Sequence, residues 1–132
     1  MAIHVKALRA AILALGLSLA APAILPACAR IEAQSERFDH GRDTISRTQS
    51  DLRRAASFHP NSKKEQERFK NAQHHLSDLD RRFVKGKFDK GTMDSAIEDI
   101  QNVLDHNTLQ SQDRDALMQD INDLRALRSN RG

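Results

Sequence analysis

Apolar residues in this chain recur at helical spacing. Phe69, Ala72, Leu76, Leu79 and Phe83 follow one another at steps of 3, 4, 3 and 4, which lays one stripe along a helix. Ile45, Leu52, Ala55 and Ala56 make an earlier stripe, with Phe38 one heptad before Ile45. Met93, Ile97, Ile100, Val103 and Leu104 make a third, over about residues 92–106, and Leu117, Ile121, Leu124 and Leu127 a fourth. No segment alternates apolar with polar over the length of a strand.

Breaks fall between the stripes. Pro60 disfavours helix at His59 and removes a donor. Ser62 with Glu65 three residues on predicts a capping box, and Gly86 suits a helix C-terminus. Asn107 and Thr108 end the third helix, and Ser111 is the expected cap of the fourth. Asp113 and Asp115 sit near that helix's positive end, Arg128 and Arg131 near its negative one. Four stripes with short connections predict an all-α fold, a small antiparallel bundle of about four helices.

Residues 1–29 have a different character. A basic start with Lys6 and Arg9 precedes an apolar run over residues 10–25, broken by Gly16 and Pro22. Small residues follow, the pattern of an export signal peptide. The run is short for a membrane-spanning helix, which needs about 20 apolar residues. Ala27 and Ala29 flank Cys28 and permit cleavage after residue 29. Leu25, Pro26, Ala27 and Cys28 also resemble the lipobox of bacterial lipoproteins, which makes Cys28 a lipidation candidate; Pro26 is an unusual occupant of that motif and favours simple cleavage. The expected product is a single α-helical domain over residues 30–132, periplasmic or secreted, or else a membrane-anchored lipoprotein. Cys28 is the only cysteine, so that domain relies on helix packing rather than disulfides.

Charge changes meaning once this segment is set aside. The chain carries 21 Lys and Arg against 18 Asp and Glu. Residues 1–29 hold two of the bases and none of the acids, so the remainder is close to neutral. Phosphate recognition calls for a basic excess or face, and the basic clusters here are interleaved with acids, so nucleic acid is not an expected partner. Residues 30–90 carry net +5 and residues 91–132 net −4, which predicts attraction between the two halves.

Residues 37–45, RFDHGRDTI, echo residues 87–97, KFDKGTMDSAI, with the Phe-Asp-x-Gly core offset by 50. The echo predicts two αα-hairpin units, about 37–85 and 87–131, related by an imperfect repeat. Phe38, Asp39, Gly41 and Phe88, Asp89, Gly91 are then structural turn residues: the glycines take positive φ, the aspartates accept backbone N–H groups, and the phenylalanines close the following helix. A helix running straight through Gly41 is the alternative, at about 1 kcal/mol. Residues 86–89, Gly-x-Phe-Asp, are also similar to part of a tetratricopeptide repeat, but the 34-residue period is missing and that fold is rejected.

Candidate chemistry is sparse. His74 and Asp78 stand four apart on a helix with His75 adjacent, a spacing that can clip a divalent ion, but on the face opposite Leu76 and Leu79. They are weak metal candidates; two ligands do not make a site, and HExxH is absent. Asp94, Glu98 and Asp105 read as a solvated face. No nucleophile turn or Gly-rich phosphate loop is present, so neither catalysis nor a cofactor is expected.

Residues 109–117, LQSQDRDAL, resemble the L-T-x-x-Q frame of small periplasmic stress chaperones of the Spy and CpxP type. Leu109 matches, Gln110 stands for Thr, Asp113 stands for Gln, and there is no second copy. The resemblance covers fewer than ten residues and implies a binding role without a cofactor. The resulting expectation is a non-catalytic interaction or structural module of the bacterial cell envelope, with another envelope protein or a second copy as partner and membrane contact only through the signal segment or a lipid on Cys28. The alternatives are a metal- or ligand-binding protein using the surface histidines, and a chaperone of the type just named.

Overall fold

The computed structural model describes residues 25–58, 60 and 62–131, with side chains from residue 30 onward. Most of the expected signal segment and His59 therefore lie outside the described residues, as does the side chain of Cys28. Four helices make up the described chain: α1 (Leu25–Ser57), α2 (Lys63–Val84), α3 (Lys90–His106) and α4 (Ser111–Ser129). The described residues include no strand.

Each helix packs on its neighbours in sequence, and α4 returns to α1, which closes a four-membered ring. Polar pairs along each seam run in opposite directions. Arg42 meets Asp80 while Gln49 meets Ser77 between α1 and α2. His75 meets Asp99 while Arg68 meets Asn107 between α2 and α3. Arg47 meets Asp120 while Arg54 meets Asp113 between α1 and α4. The four stripes face one another and form a single core, with Ile45, Leu52, Leu76, Leu79, Ile100, Val103, Leu117 and Leu124 near its centre.

The helix ends follow local chemistry. Ser62 and Glu65 form the reciprocal capping box of α2, and Glu65 also accepts from the N–H of Thr108, which ties the cap to the α3–α4 loop. Gly86 has φ of 66°. Its N–H reaches Phe83 O and that of Lys87 reaches Arg82 O, the paired bonds of a Schellman ending. Asp89 caps α3 by accepting from Thr92 N at 2.8 Å. The cap of α4 is not Ser111: Ser111 is the first helical residue, and Gln110 precedes it without a side-chain bond.

The expected turn at Phe38, Asp39 and Gly41 does not form. Helix α1 runs unbroken through all three, and neither Gly41 nor Gly91 has positive φ. Gly91 is exposed in the first turn of α3. Gly41 is glycine for another reason. A Cβ placed on it would collide with the Phe83 ring, which lies directly on the α1 backbone there and would have to shift to admit a side chain. One and two turns further on, Thr44 and Thr48 are buried as well. Their hydroxyls donate to the carbonyls of His40 and Thr44, which lets them fill core positions without stranding a polar group.

Beyond the bundle α1 continues as an arm. Every residue from 30 to 37 is exposed, and Ile31, one heptad before Phe38, is 67% exposed.

Candidate functional site

The most distinctive side-chain grouping lies where the arm leaves the bundle. Phe38 comes from α1, Phe83 from the last turn of α2, and Phe88 from the α2–α3 loop that the Gly86 turn redirects. The Phe38 and Phe83 rings stand edge to face at 5.6 Å and 78°, and Phe83 and Phe88 at 6.0 Å and 82°. Arg131, just past α4, lays its guanidinium over all three, with Cζ 4.2 Å from the Phe38 centroid, 4.8 Å from Phe83 and 5.8 Å from Phe88. Contacts of this kind are worth about 0.5–1 kcal/mol in the open and about 2 when desolvated. Arg131 also donates through Nη2 to the backbone carbonyl of Arg37. Burial, reinforced by the nearby Arg37 charge, holds its pKa below the ordinary arginine value. The result is a partly desolvated cation held by three ring faces and one carbonyl.

The two halves of the Phe-Asp-x-Gly echo meet here, since Phe38 and Phe88 each stand edge to face with Phe83. Gly41 lets the Phe83 ring sit against α1, and Asp89 fixes the loop by capping α3 and accepting from Arg82 Nη1 at 2.7 Å. The Thr92 N–H bond to Asp89 lowers that carboxyl's pKa. Asp39 is exposed on α1.

A second grouping is electrostatic and lies along the α1–α4 seam. Asp120 is 1% exposed, and its Oδ2 has no hydrogen-bond partner among the described residues. Arg47 donates to its Oδ1 at 3.2 Å but is half exposed and shared with Asp123. Asp51 stands opposite on α1 and is itself paired with Arg54, which also holds buried Asp113 at 2.8 Å. Burial pushes the Asp120 carboxyl up to about 6; Arg47 opposes this and the Asp51 charge adds to it.

The candidate metal ligands His74, His75 and Asp78 are divided. His75 Nδ1 lies 2.6 Å from Asp99 on α3, so this side chain serves the α2–α3 seam. His74 Nε2 is 3.5 Å from Asp78, whose other partner is Arg81. Among the described residues no group of three or more His, Cys, Asp or Glu side chains is placed to hold a metal ion. The chaperone-like frame is used internally: Leu109 packs against the core, and Asp113 is the buried partner of Arg54. No described helix is long and apolar enough to cross a membrane.

No family model matches this chain, and no curated protein or solved structure is significantly similar to it.

Proposed function

We propose that this chain is a non-catalytic interaction or structural module of the bacterial cell envelope, exported through its N-terminal segment. The observation that carries this is the exposed arm of α1: the heptad of buried Leu52 and Ile45 and partly buried Phe38 continues to Ile31, where the bundle provides no cover. An apolar position held in register by a rigid helix is a point of contact for another protein. The partner is a second envelope protein or a second copy, without nucleic acid. The Phe-Asp-x-Gly echo supports a further proposal, that two hairpin units of about 37–85 and 87–131 share an origin, with Phe38 and Phe88 as matching members.

The export part is tested by intact mass of the fractionated protein. A chain starting at Arg30, or at an acylated Cys28, is the expected result; full-length chain confined to the cytoplasm refutes it. The interaction part is tested with a photo-crosslinking residue at position 31 or, as control, at exposed Gln119. Adducts at 31 and none at 119 are expected, and adducts at neither position sink the proposal.

One observation favours a second function. Asp99 anchors His75 through Nδ1, the arrangement by which a carboxylate orients a metal-binding imidazole. Stoichiometric zinc uptake that disappears in His74→Ala and His75→Ala would favour metal binding over interaction.

A further inference from the structure

We propose that the Phe38, Phe83 and Phe88 cage is a receptor for the guanidinium of an arginine on another polypeptide, kept closed in the free chain by Arg131. Three ring faces converge within 6 Å of one point, the geometry that attracts a cation, and a cation already occupies it. The Arg37 carbonyl selects among cations. It accepts an N–H from Arg131, a bond a guanidinium can make and a quaternary ammonium cannot.

The occupant is positioned to be exchangeable. Arg131 lies beyond the last helical residue of α4, and its backbone N–H makes only a 3.4 Å bond to Arg128 O. Its pKa is lowered by burial and by Arg37, and no carboxylate among the described residues is paired with it. The rings, in contrast, are fixed by α1, by the last turn of α2 and by the Asp89-capped loop. Withdrawal of Arg131 leaves a preformed set of walls at the base of the exposed arm.

This deepens the interaction role by naming what the partner presents. It is tested on the isolated chain, so it can fail while crosslinking at position 31 succeeds, and the reverse. Phe ring proton shifts are followed by NMR while N-acetyl-arginine amide is added to the purified wild type, R131A and R131Q, with N-acetyl-lysine amide and tetramethylammonium chloride as controls. Saturable shifts are expected in both variants, are absent with tetramethylammonium, and are weaker with the lysine analogue, whose ammonium can donate to the carbonyl but cannot lie as a plane on the rings. Wild type should bind about tenfold more weakly, as it would if Arg131 fills the cage about nine-tenths of the time. F38A added to R131A should abolish the shifts. The proposal is overturned if folded R131A and R131Q show no saturable shift, if the lysine analogue or the ammonium salt acts equally well, or if wild type binds as tightly as the variants. It is also overturned if both variants unfold by circular dichroism, because Arg131 is then a structural clamp and not a displaceable ligand.

Discussion

Asp120→Asn should stabilise the protein near neutral pH and do less in mild acid. In the folded chain the Asp120 carboxyl is raised to about 6, chiefly by burial, whereas an unfolded aspartate titrates near 3.9. A group raised on folding binds its proton more tightly in the folded state. Its contribution is therefore fully present below about pH 4 and is lost as pH rises through about 6. Two pH units correspond to about 3 kcal/mol as an upper value. Asparagine keeps the shape, removes the charge at every pH, and can offer an N–H to Asp51. The attraction of Arg47 is already contained in the raised value and is not subtracted again. The expectation, as upper values, is a gain of about 3 kcal/mol at pH 7.5 that falls to about 1 kcal/mol at pH 4.5. Urea unfolding across that interval measures it, with the m-value checked for constancy. A variant that is less stable than wild type at pH 7.5, or a difference that does not change with pH, refutes the account of the seam. Asp51→Asn offers a second test, because removing that charge should bring the Asp120 transition down toward its ordinary range.

Three other outcomes are expected. Gly41→Ala should destabilise by about 1–3 kcal/mol in urea, because the new methyl collides with a Phe83 ring that stands edge to face with Phe38 and Phe88, although alanine gains about 1 kcal/mol of helix propensity; a stabilised variant would mean that the helices separate easily at this point. Ser62→Ala should lose about 1 kcal/mol with the capping box, read as a lower Tm, and an unchanged Tm would place the start of α2 under tertiary control alone. Asp94→Asn should flatten the acid limb of the stability curve. The Arg128 hydrogen bond lowers the Asp94 pKa, so that contribution is present above about pH 4 and fades as pH falls through the folded value; an acid limb identical to wild type would contradict it.

The sequence makes α2, α3 and α4 readable because each carries an unbroken aliphatic or aromatic stripe, and period 3.6 then locates both the helix and its inner side. Helix α1 is harder. Thr44 and Thr48 occupy core positions but look polar until their hydroxyl bonds to the helix's own carbonyls are known. Gly41 has two physical uses, a backbone freed for positive φ and a missing Cβ, and a single sequence does not distinguish them. The echo of Phe38 with Phe88 is visible in the sequence, but their meeting at Phe83 is a product of tertiary packing. Arg131 reads as a partner for the helix dipole, and nothing local points to three rings from three different segments. Asp113 and Asp120 likewise look like ordinary wet-face acids; only the arginines across the α1–α4 seam show that they are enclosed.

Because α1 does not break at Gly41, its exposed turns inherit the rotational phase of its buried ones. An α-helix drifts about 20° per heptad from a strict seven-residue repeat, so Ile31 lies about 20° from the azimuth of Phe38 and about 60° from that of Leu52. The direction from which the arm can be met is thus set by packing about 30 Å away along the axis. One residue inserted between positions 32 and 36 would swing Ile31 by about 100° and leave the bundle itself untouched, whereas seven would lengthen the arm and restore its bearing.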